Sequence, residues 1–305
     1  MSHLFIFANI VDDLINNRHH LGGEGAFAAS AIAILKQCFN EKVRYTLAGT
    51  IGNDESGRFL KQELDSLGIE TSGLTVSEMQ TCQAIVKGVS KAEFVGFVGG
   101  PVCRFTPKET KRFSDLLLKD GWIFLTSNTL YDDETWEQVH SILNTSPRLL
   151  FFDINWRDAL LKRSKLSLDE FCQNRLVPVL ERANIIKGTE EEIHRFKNFI
   201  GNTGSAWILE TKGSQGSFLR SEDEKIFTEA LKVKEVQDTG AGDTFSGSFL
   251  FGLARHNIKT RKDLDLLAVD DLKKMLRLAS QVAAMTVQGF GVNYLSEYRS
   301  ALTLL

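Results

Sequence analysis

Short apolar runs alternate with stretches of helical spacing along most of this chain. Leu4 to Ile10 is an unbroken apolar run and predicts a buried strand. Small residues from Gly25 to about Phe39 predict a helix. Arg44 to Ala48 predicts a second strand. Behind it Asp54 is placed to cap a helix whose buried spacing is Phe59, Leu60, Leu64 and Leu67, and Gly68 ends that helix. From Gly73 to about Gly100 the helical period disappears. Thr81 to Val86 and Glu93 to Val98 are β-prone and flank Gly88-Val89-Ser90-Lys91, which predicts a hairpin outside the main sheet. Strands then follow at Trp122 to Leu125, Leu149 to Phe152, Ala183 to Ile186 and Ala206 to Leu209. Helices at Asp133 to Leu143, Leu168 to Leu180 and Glu191 to Phe199 alternate with them. Strands that are apolar without alternation suit a parallel sheet covered by helices on both faces, so the fold class is α/β. Gly216 to Leu219 and Lys225 to Thr228 predict a hairpin with an acidic turn. Leu231 to Val236 alternates and predicts a strand. It feeds a helix with Phe249, Leu250, Leu253 and Ala254 on its buried face, and Asp270 to Val287 is the last helix.

Composition narrows the class. The 305 residues are 43% hydrophobic, enough for one large α/β domain or two small ones. Net charge is −3 with acids and bases mixed, so no basic face for nucleic acid is expected. No apolar run reaches the ~18 residues of a membrane span, and no secretory leader pattern opens the chain. Cys38, Cys82, Cys103 and Cys172 lie far apart and read as free thiols in a reducing cytoplasm. His19-His20 reads as a surface loop. Neither Gly-x-x-x-x-Gly-Lys-Ser/Thr nor Gly-x-Gly-x-x-Gly occurs, which disfavours a P-loop ATPase and a dinucleotide-linked dehydrogenase.

The chemistry concentrates in Asp238-Thr239-Gly240-Ala241-Gly242-Asp243-Thr244-Phe245-Ser246-Gly247. Gly240-Ala241-Gly242 opens a helix, whose first N–H groups lack partners and whose dipole favours an anion. Asp243 sits in the same turn, where it is either an ordinary first-turn acid or a base beside that anion. The segment resembles the second signature of the PfkB carbohydrate kinases, the ribokinase-like family. Gly240, Ala241, Gly242 and Asp243 match it, and either one residue is missing between Thr239 and Gly240 or Gln237 and Asp238 occupy the usual Asp-Thr slots. Leu21-Gly22-Gly23-Glu24-Gly25-Ala26-Phe27 resembles the family's first segment, with Phe27 where Asn is usual. Phe151-Phe152-Asp153-Ile154-Asn155-Trp156-Arg157 resembles fructokinase-like and 2-keto-3-deoxygluconate kinase-like members. Lys187-Gly188-Thr189-Glu190-Glu191-Glu192 carries Thr189 in place of Asn in Asn-x-x-Glu, and Thr211, Gly213 and Gly216 match a nucleotide-binding Thr-x-Gly-x-x-Gly.

The resemblance covers essentially the whole chain. It implies one ribokinase-like domain over 1–305, a doubly wound, mostly parallel sheet with a small β-sheet lid built from about 9–22 and 73–100. It implies ATP-dependent phosphorylation of a sugar hydroxyl, with Asp243 as the base and the N–H groups of Gly240, Ala241 and Gly242 holding the transferred charge. Asp13, Gly22, Gly23, Phe27 and Arg157 would meet the sugar, although Arg157 reads equally well as the partner of a structural acid. Lys187, Thr211, Gly213, Gly216 and Ser280 would meet the nucleotide. Glu192 would organise magnesium through water, with a monovalent cation such as potassium and a homodimer as further expectations from the family. The lid Glu93 to Gly100 has no base, its nearest being Lys91 and Arg104. This favours a neutral ketose such as fructose over 2-keto-3-deoxygluconate. The departures at Phe27, Thr189 and Thr239 leave an inactive sugar- or nucleotide-binding relative as the alternative.

Overall fold

The computed structural model describes residues 2–87, 93–162, 164–201, 204 and 206–289. The turn Gly88-Val89-Ser90-Lys91 and the segment Phe290-Gly291 lie outside the described residues. The main sheet has nine strands, named in chain order with four of a second sheet between them. Strands β1 (His3–Phe7), β4 (Arg44–Gly52), β5 (Leu74–Ser77), β8 (Trp122–Thr126), β9 (Leu149–Asp153), β10 (Ile185–Thr189), β11 (Trp207–Thr211), β12 (Ser217–Arg220) and β13 (Lys225–Thr228) belong to the first. Their order is β13-β12-β11-β10-β9-β8-β1-β4-β5. All neighbours are parallel except the β11–β12 and β12–β13 pairs.

Successive side chains of a strand face opposite ways, and β1 shows the result. Leu4 and Ile6 join one buried cluster with helices Glu24–Cys38, Ala241–Arg255 and Val269–Thr286. Phe5 and Phe7 join a second with helices Pro107–Leu117 and Asp133–Thr145. Two cores on two faces explain why the strands are apolar throughout. The run from Leu168 to Arg182 is helical but widens to a π-turn over Cys172–Leu176. Pro178 lies just beyond, and its missing N–H and bulky ring disfavour a regular ladder there.

The second sheet has four strands in the order β3-β2-β6-β7, namely β2 (Val11–Ile15), β3 (Arg18–Gly22), β6 (Gln83–Lys87) and β7 (Glu93–Val98). Asp12 ties it to the main body. One of its buried carboxylate oxygens accepts from Ser56 Oγ at 2.6 Å, Gln83 Nε2 at 2.9 Å and His19 Nδ1 at 2.7 Å. His19 and His20 therefore stand on β3 and not in a loop. The expected strand at Leu231 to Val236 does not form. Leu231 and Val233 stay 48% and 37% exposed, and the segment rejoins the body where Val236 and Gln237 N–H donate to the Val287 carbonyl.

Candidate active site

The parallel strands point their carboxyl ends at one cavity of about 470 Å³. Such ends collect ligands where the direction of winding reverses. Here that place is β1, which has β4 on one side and β8 on the other. Asn9 beyond β1, Asn128 beyond β8, Asp153 at the end of β9, Lys187 in β10 and Thr211 at the end of β11 all line the cavity. Val11 and Asp13 of β2, Ala84 and Val86 of β6, and Phe94 and Phe97 of β7 form the facing wall.

Helix Ala241–Arg255 starts at this cavity. Gly240 caps it at φ 81°, a left-handed conformation that glycine adopts without strain. A second constraint acts there. A Cβ on Gly240 would stand 2.3 Å from Phe27 Cε1. Phe27 is thus a buried packing partner of the turn as well as a lining residue. Ala241 does not line the cavity, and its N–H donates to the Asp238 carbonyl at 3.3 Å. The N–H groups of Gly240, Gly242 and Asp243 have no partner among the described residues. A Cβ on Gly242 would lie 3.3 Å from Lys187 Nζ, so an ammonium stands beside this turn.

Asp243 is aimed by Asn155, whose Nδ2 donates to Oδ1 at 3.0 Å. Asn155 does this from φ 33°, a region that Asn tolerates better than most residues. Burial and then the Asp153 carboxylate push the Asp243 pKa up to about 6, while Lys187 and Arg157 hold it down. Lys187 Nζ bonds Asp153 Oδ2 at 2.6 Å, and Ser246 Oγ donates to the same oxygen at 2.8 Å. Burial works against the Lys187 charge, but Asp153 and Asp243 outweigh it and raise its pKa. Asp153 Oδ1 is buried with no partner among the described residues. Glu192 is held in the wall by Trp156 N–H at 2.6 Å and Thr189 N–H at 2.8 Å. Thr189 returns the bond by accepting from Glu192 N–H, which makes it a helix cap.

Gly22 makes room for Asp13, since a Cβ there would stand 2.1 Å from Asp13 Cγ. Gly23, at φ 94°, lets the backbone pass close to Asn9, since a Cβ there would stand 2.6 Å from the Asn9 carbonyl oxygen. Burial, then Asp12 and Asp243, push the Asp13 pKa up to about 8 against the opposing pull of Arg157. A carboxyl whose folded pKa lies above its unfolded value of 3.8 supports the fold fully below that value, and the support is lost as pH rises through about 8. Asp13→Asn cannot ionise. It is expected to raise Tm at pH 9 and to change it much less at pH 5. Melts at the two pH values check this, and equal differences at both would refute it.

Several lining residues escaped the sequence reading as site residues, among them Asn9, Glu24, Asn128, Asp153 and Asn155. Glu24 N–H donates to Asn9 Oδ1 at 2.8 Å, and its carboxyl accepts from Asn128 Nδ2. Burial, reinforced by Asp243, raises the Glu24 pKa well above the usual range. Three expected nucleotide residues do not line the cavity. Gly213 and Gly216 shape the turn after β11, where a Cβ on Gly216 would meet the Thr228 carbonyl at 2.2 Å, and Ser280 is buried in helix Val269–Thr286. Asp54 caps its helix as expected, accepting from Gly57 N–H at 2.8 Å.

The family model described as pfkB family carbohydrate kinase matches residues 4–298. A ribokinase of Staphylococcus aureus is 23% identical over 283 residues, covering 88% of this chain and 83% of that protein. A 5-dehydro-2-deoxygluconokinase of Listeria innocua is 24% identical over 243 residues, covering 70% of each. The structure of fructokinase with bound ATP from Xylella fastidiosa superposes with a TM-score of 0.81 over 99% of this chain and 98% of that one. At 20% identity that likeness is one of fold, and the fold is ribokinase-like.

Proposed function

The chain belongs to the pfkB family of carbohydrate kinases, and on that premise we propose that it transfers the γ-phosphoryl group of ATP to a hydroxyl of a neutral ketose such as fructose. One observation carries the reading: Asp243, the free N–H groups of its own helix turn and the Lys187 ammonium meet in a single cavity. Phosphoryl transfer needs little more than positioning and charge stabilisation. Asp243 takes the hydroxyl proton. The N–H groups of Gly240 and Gly242 hold charge on the transferred oxygens, with Lys187 opposite. Asp13, over Gly22 and Gly23, orients the sugar beneath the sheet β3-β2-β6-β7, which acts as a lid. The whole of 1–305 serves as one kinase domain. Lys187 and Thr211 in the cavity, with Gly213, Gly216 and Ser280 outside its lining, meet the nucleotide.

Magnesium fits as an ion carried by the nucleotide phosphates and held through water. Among the described residues no three His, Cys, Asp or Glu converge to cage a metal, whereas Asp153 keeps one unpartnered oxygen and Glu192 is fixed in the wall. When bound, it neutralises charge on the phosphates.

A neutral substrate follows from the wall. Phe94, Phe97 and Phe27 present apolar faces, and the Asp243 carboxylate, ionised above about pH 6, repels an anion. Arg157 favours a second reading, a sugar acid. It lines the cavity with no carboxylate at ion-pair distance among the described residues, and its Nη1 donates to the Trp156 carbonyl at 3.1 Å. Arg104, the other candidate clamp, pairs with Glu134 and does not line the cavity, and Lys91 lies outside the described residues. The expected result is a higher kcat/KM for fructose than for 2-keto-3-deoxygluconate under one set of conditions. A preference for the acid overturns it and gives its carboxylate to Arg157.

A further inference from the structure

The amino end of the sheet carries a second pocket, of about 260 Å³, with no part in the chemistry above. Arg44, Lys119, Arg148 and Lys259 line it, against the single acid Asp120. In a chain of net charge −3 these cations gather against the overall sign. None of the four has a carboxylate at ion-pair distance among the described residues. Arg148 is the most constrained. It is 0% exposed, and its guanidinium donates to backbone carbonyls alone: His3 at 3.0 Å, Trp122 at 3.2 Å and Leu116 at 2.8 Å. Gly121 allows this approach, since a Cβ there would stand 2.8 Å from Arg148 Nη1. Carbonyls satisfy the N–H groups without balancing the charge. His3 completes the wall, its Nε2 at 3.2 Å from Thr46 Oγ1 and its buried Nδ1 without a partner among the described residues. Burial, then Arg148, Arg44 and Lys119, press its pKa down to about 4, which reports the positive field of the pocket.

Four converging guanidinium and ammonium groups against the single acid Asp120 suit a compact oxyanion, to which arginine adds paired N–H donors. We propose that this pocket binds a phosphate group, either inorganic phosphate or the phosphate of a small ester. A bound dianion offsets two of the three positive charges that remain after Asp120 is counted, and it offers His3 Nδ1 an acceptor. This site does not depend on the substrate of the kinase cavity.

The test uses the full chain and the double variant Arg44→Glu/Lys119→Glu, both of whose replaced side chains are exposed. Inorganic phosphate is titrated at constant ionic strength while Tm and the His3 imidazole resonance are followed. The wild type is expected to show a saturable rise in Tm and a His3 pKa moving up toward the ordinary 6.5. The variant is expected to lose both and to keep its kcat. A hexose phosphate run in parallel identifies the source: tighter saturation than inorganic phosphate marks an ester, weaker marks the free anion. Equal Tm rises in wild type and variant, with the His3 resonance unmoved, overturn the proposal and assign the phosphate effect to the kinase cavity. If charge reversal itself lowers the starting Tm, Arg44→Gln/Lys119→Gln makes the same comparison.

Discussion

Asp243→Asn is expected to lower kcat by about 10²–10⁴, the usual worth of a positioned general base, with little change in the KM for ATP. The substitution keeps an oxygen for Asn155 Nδ2, now 3.0 Å from Oδ1, and so leaves the turn intact. It removes only the ability to take a proton. The pH dependence gives an independent check. With its pKa pushed up to about 6, chiefly by burial, Asp243 is protonated and idle below that pH. The wild-type kcat/KM should therefore fall on the acid side with a midpoint near 6, and the residual activity of the variant should lack that limb. Near-normal kcat in the variant would remove Asp243 from the mechanism.

Lys187→Met is expected to cost about 3–5 kcal/mol of stability, the penalty for leaving one member of a buried ion pair alone. The side chains of Lys187 and Asp153 are 5% and 1% exposed, so little solvent reaches the carboxylate left behind. Ser246 still donates to it at 2.8 Å but brings no charge. The remedy is to remove the partner as well. Lys187→Met/Asp153→Leu should recover much of the loss, because apolar replacements of a buried pair are often neutral. Denaturant unfolding of the three proteins measures both steps. A single variant that unfolds with the wild type would show that the pair contributes nothing net.

The sequence carried the sheet well because strands buried on both faces are apolar without interruption, as in Leu149 to Phe152. It misled at Leu231 to Val236, where alternation of apolar and charged residues is the same for a strand and for an extended surface segment. Only a neighbouring strand distinguishes them, and β13 already forms the edge of the sheet. Helix Pro107–Leu117 was missed because its buried apolar residues are only Phe113 and Leu117, yet Thr106 and Glu109 form a complete capping box. In the site, Gly240 to Asp243 was legible because its chemistry is contiguous. Glu24 and Asn128 were not, since they meet across 104 positions of sequence, and an acid in a first helical turn is ordinary. Thr189 departs from the family pattern but supplies a cap to the same helix.

The contact between Phe27 and Gly240 also orders the routes by which this chain can change. Position 240 faces two barriers, the ring at 2.3 Å and the backbone at φ 81°. Asn can occupy the second but not the first. A lineage that acquires a side chain at 240 must therefore shrink Phe27 beforehand, and the reverse sequence of events passes through a distorted helix turn. Once 240 is occupied, the return of a ring at 27 is blocked in turn. The pair thus acts as a ratchet in sequence space, with history deciding which side of the cavity stays open to variation.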